Sequence, residues 1–401
     1  MRCKIVAILI PLLAVFSAFW TAGTAGAGNW EQTLSERFDV VETFDDLQDW
    51  PKDPYALSPG GGYAFENPDD FPKESDGTSS MWCYFTKYDE ANSALPWIGN
   101  FGPETHFATK GKTAVIDLSN KRGPSRLGTY FGDGNPNSGY SDLYFFHMAY
   151  ITPNQWPTEC EGGCVGGGGL GTYEEGKDYA YYAVWKFHNI GSGWNNCGKW
   201  KGSKPSHDDR YGDSEVIPHI GIFNYGPIPT LDGSAVKQNQ ILTLSVSRVP
   251  QDASRYSYDS ETVQVVTDRS DYVAFLGKGV AYPGGGQWVG FEFHYKMESP
   301  AGAGNGVAEA WIYNQKGEYK RAYRFEGLNF LDPDVGPNHK FNRFFFGGNN
   351  SNSYTWGPTM QAPYYVDDLV IDDQRIGPTY FKLLGGEEVP SPPSQLKVIQ
   401  N

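Results

Sequence analysis

The sequence predicts an all-β protein, a sandwich or a barrel, and three observations carry that expectation. Gly (49) and Pro (27) are abundant, and aromatic residues reach 15% of a 401-residue chain. Short aromatic and β-branched runs are separated by turn residues along most of its length. Long helix-forming stretches of Ala, Leu, Glu and Lys are missing. The composition is that of an ordered chain, expected to form one domain over 28–384.

Residues 1–27 read as a secretory leader. Arg2 and Lys4 precede an apolar run from Ile5 to Trp20, and Ala25-Gly26-Ala27 is a small-residue cleavage site. The run contains Pro11 and falls short of the ~20 residues a spanning helix needs. The expectation is an exported chain, extracellular or periplasmic, without membrane insertion. Export implies oxidising surroundings, and Cys83, Cys160, Cys164 and Cys197 remain once Cys3 leaves, so disulfides are expected in any of the pairings four cysteines allow. Net charge is −15 and becomes more negative when Arg2 and Lys4 are removed. Such a field repels nucleic acid and acidic membranes, and suits a soluble surface or one that holds calcium.

In chain order, strands are expected over 37–44, 81–88, 113–118 and 143–151, with a Pro/Gly/Asp-rich excursion over 51–80. Cys160 to Gly171 is Gly-rich but lacks the GxxxxGK[ST] order of a phosphate loop, so it reads as a lid or a disulfide-pinned loop. Over 179–188, Tyr182, Val184, Lys186 and His188 fall on one strand face by period-two alternation. Lys186 then neighbours His188, and its charge would keep the imidazole free to act as a base. The acidic turn at 207–213 reads as a salt-bridged surface loop. Strands follow at 216–223, 240–249 and 262–267, with a further candidate at 272–280.

The stretch from Gln287 to Asn314 is the most informative. It reads as a hairpin in which Val289, Phe291, Phe293, Tyr295 and Met297 face one way while Glu292, His294 and Lys296 face the other. On its second strand Ala308, Ala310 and Ile312 are apolar, and Val307, Glu309, Trp311 and Tyr313 share the opposite face. An acid, an imidazole, an ammonium and two flat rings on one face would form a floor able to read sugar hydroxyls and stack on pyranose rings. An ordinary polar outward face is the competing reading. Strands at 318–325 and 341–347 come next. A last strand over 364–376 places Asp367, Leu369 and Ile371 on one face and Val366, Asp368 and Val370 on the other. Gly377-Pro378 ends it, and 385–401 reads as an exposed Pro-rich tail.

The phrases FFFGGNN (344–350) and YYVDDLVIDDQRIGPTYF (364–381), with the hairpin upstream, resemble the concanavalin A-like jelly rolls of secreted polysaccharide lyases of the alginate- and glucuronan-degrading kind. The resemblance implies a two-sheet antiparallel β-sandwich with a polysaccharide on its concave face. It also implies structural calcium at Asp45, Asp46 and Asp368; no organic cofactor is expected. For β-elimination, His188 or His294 would be the base, Lys186 and Lys296 would neutralise the uronate carboxylate, and Tyr182 would be the acid. Glu292, Lys296, Glu309, Trp311 and Tyr313 would bind substrate. A non-catalytic carbohydrate-binding or adhesion protein would use Trp185, Trp311 and Tyr313 by stacking alone. A glycoside hydrolase would need Glu292 and Glu309 as its carboxylate pair.

Overall fold

A computed structural model describes residues 27–51, 62–64, 71–87, 97–99, 107, 111–117, 126–130, 137–151, 180–186, 188–192, 214–225, 228–229, 235–236, 239–250, 265–266, 275–276, 286–330, 340–346 and 363–385. The elements begin with helix α1 (Ala27–Ser35), then β1 (Val40–Glu42), β2 (Gly62–Ala64), β3 (Tyr84–Lys87), β4 (Trp97–Gly99), β5 (Thr113–Asp117), β6 (Arg126–Tyr130) and β7 (Asp142–Ile151). Next come β8 (Ala180–Lys186), β9 (His188–Ser192), β10 (Ser214–Tyr225), β11 (Ile228–Pro229), β12 (Ala235–Val236), β13 (Asn239–Pro250) and β14 (Val265–Val266). The order closes with β15 (Trp288–Lys296), β16 (Gly306–Tyr313), β17 (Tyr319–Leu328), β18 (Arg343–Phe346), β19 (Pro363–Asp372) and helix α2 (Gly377–Leu384).

Two antiparallel sheets hold most of these strands. The first has eight, in the order β17-β16-β15-β7-β19-β5-β4 with β1 also on β19; the second has nine, β14-β13-β10-β9-β18-β6-β3-β2 with β8 also on β10. Alternation buries one face of each sheet against the other. Phe145, Phe291, Phe293, Tyr295 and Ile312 of the first sheet share a core with Leu127, Ile190 and Phe344 of the second. The rings of Phe145 and Phe344 meet at 4.9 Å. The architecture is an antiparallel β-sandwich, one of the two all-β forms expected from composition.

The outer face of the first sheet carries a second core. Phe146, Met148, Trp288, Trp311 and Tyr313 pack there with Trp30, Leu34 and Phe38 from the α1 end and Tyr380 from α2. Trp30, Leu34 and Phe38 recur every fourth residue, which puts them on one side of the helix and the turn after it. Pro378 lies in the first turn of α2, where a missing N–H costs nothing. Among the described residues no helix is long and apolar enough to cross a membrane. Cys83, just before β3, is disulfide-bonded; Cys160, Cys164 and Cys197 lie outside the described residues, as do the leader expected over 1–27, except Ala27, and the tail expected over 385–401, except Gly385.

Three expectations change. Over 272–280 no strand is described; Phe275 and Leu276 lie in a helical turn. The last strand ends at Asp372, and the residues after Gly377 form α2 instead of only stopping it. Within β19 the ladder to β7 shifts between Asp367 and Val370, with Asp368 at φ 50°. This bulge spends one extra residue, so Val366, not Asp367, joins Leu369 and Ile371 in the sandwich core. Val370 turns to the helix side.

Candidate functional site

The hairpin alternation is as the sequence implies: β15 and β16 pair with Glu292 opposite Trp311, Phe293 opposite Ala310 and His294 opposite Glu309. Its polar face is the outer one, partly roofed by the helices. Rows run across four strands there: Tyr144, His294, Glu309 and Arg324 in one, Phe146, Glu292, Trp311 and Arg321 in the next.

Glu292 is fully buried and already engaged. Its carboxylate accepts the Ile376 N–H at 2.6 Å, the Gly377 N–H at 3.2 Å and the Tyr313 hydroxyl. These backbone donors are the unsatisfied groups at the start of α2, so Glu292 caps that helix from the neighbouring sheet. Burial pushes Glu292 above the ordinary carboxylate range, while the Tyr313 and Ile376 bonds pull it back. Tyr313 is pushed up by burial and by the Glu292 charge. Arg375 lies between two rings, 4.3 Å from the centroids of both Trp311 and Tyr319.

His294 sits between carboxylates. Its Nε2 is 2.5 Å from Asp142 Oδ1, its Nδ1 is 3.6 Å from Glu309 Oε2, and its ring stacks on Tyr144 at 4.2 Å. Glu309 also accepts from Arg321 at 3.2 Å and from Arg324 at 2.7 Å. Neither imidazole nitrogen is turned toward an incoming ligand, which sets His294 apart from an open general base. Glu292 and Glu309 are likewise held by donors, so neither resembles the free acid or nucleophile a glycosidase requires. Lys296 is exposed, opposite Asp142.

The expected calcium residues lie where β1 and β19 meet. Asp368 is buried; burial raises it to about 7, against bonds from Tyr380 and Trp30, and the charges of Asp45 and Glu31 push it further up. Asp367 rises well above the carboxylate range by burial and by the Asp368 charge. Trp30 Nε1 donates to Asp368 at 3.1 Å and the Tyr380 hydroxyl donates to its other oxygen. Asp45 accepts the Lys112 N–H at 2.7 Å. Among the described residues no group of three or more His, Cys, Asp or Glu side chains is arranged to hold a metal ion.

The remaining predicted residues lie on the second sheet, where backbone register places them. The strand expected over 179–188 is two strands. Lys186 of β8 lies opposite His219 of β10, while Ile190 of β9 lies opposite Val216. The two registers differ by one residue, and Pro218, which has no N–H for the ladder, sits in β10 at the change. β10 itself runs without a break against β13 from Ser214 to Tyr225. Alternation along it therefore puts His219 and Val216 on opposite faces. Ile190 is in the sandwich core, so His188, two residues away, falls on the inner face and Lys186 on the outer. They do not share a face, because a one-residue slip reverses parity.

The outer face gains a residue that sequence reasoning missed. Lys186, His219 and Ser245 form a row across β8, β10 and β13, with Val184, Gly221 and Thr243 in the next row and Tyr182 beside Phe223 beyond it. By the same register the residues of the opposite face, Ala183, Trp185, Ile220, Ile222, Leu242 and Leu244, are all apolar in type. The signal for His219 was the alternation of apolar Val216, Ile220 and Ile222 around it, which marks it as outward. His188 and His294 stand on different sheets.

No family model matches the chain, and no curated protein matches it. Solved structures similar to it include the PL-14 alginate lyase from Aplysia kurodai, 8% identical, covering 66% of this chain and 83% of that one at a TM-score of 0.34. Another is the endo-β-1,4-glucuronan lyase from the fungus Trichoderma reesei, 8% identical over 69% of this chain and 89% of that one, TM-score 0.30. A third is the CBM2 module of the evolved Dit of Lactobacillus casei BL23 phage J-1, 8% identical over 84% and 94%, TM-score 0.31. Scores this low say nothing of what this chain does.

Proposed function

We propose that the chain is a secreted polysaccharide lyase of concanavalin A-like jelly-roll type, cleaving a uronic-acid glycan by β-elimination on the outer face of its second sheet. The observation that carries the reading is the register of Lys186 opposite His219 on an otherwise apolar-backed strand pair. Directly opposite residues share a face at a Cβ separation of about 5 Å, so one sugar unit can meet both. Lys186 would stabilise the negative charge that develops on the uronate carboxylate. His219 would take the C5 proton as the C4–O bond breaks and the C4–C5 double bond forms, then return that proton to the departing glycosidic oxygen. Tyr182, four residues along β8, lies roughly 14 Å from Lys186 by strand rise. That is too far to serve the same bond, so it would stack on a neighbouring sugar. The leader over 1–27 and calcium at Asp45, Asp46 and Asp368 complete the proposal.

The test is product absorbance of the conjugated uronate on alginate, glucuronan and glycosaminoglycans. His219→Ala and Lys186→Ala are expected to lose at least about a hundredfold in kcat, whereas His188→Ala and His294→Ala keep most of it. Full activity in His219→Ala sinks the mechanism. Glycan binding without product on any of these substrates sinks the lyase reading in favour of a binding protein.

A further inference from the structure

We infer that the outer face of the first sheet carries a second, non-catalytic contact for the same class of ligand, an anionic polysaccharide, centred on Tyr319 and Arg321. The ligand class follows from the proposed function, whereas the site itself is made of different residues on a different sheet.

Tyr319 is the exposed large hydrophobic side chain among the described residues, at 47% exposure. It is the outermost layer of a stack in which Arg375 lies 4.3 Å from both the Tyr319 and the Trp311 rings. Trp311 is the cross-strand partner of Arg321, and Tyr313 that of Tyr319, so ring and guanidinium emerge side by side from β17. Buried Glu309 fixes Arg321 and Arg324 on this face by one bond from each, and their side chains remain 59% and 40% exposed. Arg324 is also tied to Glu326, through Nε and Nη2 at 2.7 Å each, so it is Arg321, bonded to Glu309 by Nη1, that keeps most of its five N–H donors for a ligand. A flat ring next to a planar forked cation is what a sugar carrying a carboxylate needs: a stacking surface for the pyranose and bidentate donors for the anion. Arg321, with its side chain 59% exposed, stands out on a chain whose net charge is −15. The positions are held from beneath, because Arg375 also donates to the Tyr313 hydroxyl at 3.2 Å. The strip is thus preorganised by the contacts that anchor α2.

Native affinity electrophoresis of the full chain in gels containing alginate, or a neutral β-glucan, reads this site directly. The wild-type protein and the inactive Lys186→Ala variant are both expected to be retarded by alginate and not by the glucan. Tyr319→Ala and Arg321→Ala are each expected to weaken retardation about tenfold, with turnover of short oligouronates unchanged. Both side chains are exposed, and equal urea midpoints would show that the variants fold. Retardation of both variants equal to wild type overturns the site, even if the lyase reading holds. Loss of retardation in these variants when no variant forms product supports the site and removes the lyase reading. Equal retardation by the neutral glucan overturns the assigned ligand class.

Discussion

Glu292 illustrates how a residue that looks chemical in sequence turns out to be committed to the fold. An acid on a strand face beside Trp311 and His294 suggests catalysis, but its oxygens accept from Ile376, Gly377 and Tyr313. Gly377 has to be glycine here, since a Cβ would collide with the Tyr313 ring. Removing the carboxylate leaves buried donors without an acceptor, which costs about 3 kcal/mol. Glu292→Ala is therefore expected to lower the urea midpoint strongly. A variant with unchanged stability but no activity would instead make Glu292 a catalytic group. His219 makes the opposite case. The alternation around it marks it only as outward, and the role proposed for it comes from Lys186, over thirty residues earlier in the chain and opposite it across the ladder.

At the level of elements, what was legible followed from uninterrupted alternation. The β15–β16 hairpin, with Phe293, Tyr295, Ala308 and Ile312 inward, could be read residue by residue because period two runs through both strands. Where one extra residue is inserted, parity reading fails. It failed at Asp367–Asp368, where the bulge reverses the faces, and between Lys186 and His188, where Pro218 marks a register change. The helices were missed for a different reason. α1 is nine residues long and begins where the expected leader ends, and α2 is eight residues long directly after a strand, so neither gives a long period. Their role is to roof the outer face of the first sheet, and they meet at Asp368 through Trp30 and Tyr380. Trp30→Phe and Tyr380→Phe each remove one donor from the same buried carboxylate, at about 1–2 kcal/mol apiece. Because the two bonds share one acceptor, the double variant is expected to depart from additivity by at least about 0.5 kcal/mol. Strict additivity in a denaturation cycle would mean that the helices dock independently.

Across the whole molecule, the buried acids set how stability depends on pH. Burial raises Asp39 to about 6, and Glu74 and Asp372 to about 7. It lifts Glu42 well above the carboxylate range, although Glu42 accepts from Phe44 N and Trp82 Nε1. Carboxylates in an unfolded chain titrate near 4. Between about pH 4 and 7 the folded state therefore holds more protons than the unfolded one, and the stability these groups give is lost as pH rises through their folded values. His147 opposes this. Buried among Phe145, Phe291 and Phe293, it is lowered by burial to about 3. It contributes stability above about 6.5 that is lost as pH falls toward 3. Over the shared window several carboxylates act against one imidazole, so they determine the sign. The melting temperature is expected to fall between pH 5 and pH 8. The repulsion among Asp45, Asp367 and Asp368 is relieved by protons at the lower pH, so a cation has most to relieve at the higher one. If calcium sits with Asp45, Asp46 and Asp368, millimolar calcium should raise the melting temperature clearly at pH 8 and little at pH 5, with chelator reversing the gain. A melting temperature that rises toward pH 8 without calcium would mean that these carboxylates are not protonated in the fold. A calcium effect of equal size at both values would place the ion away from them.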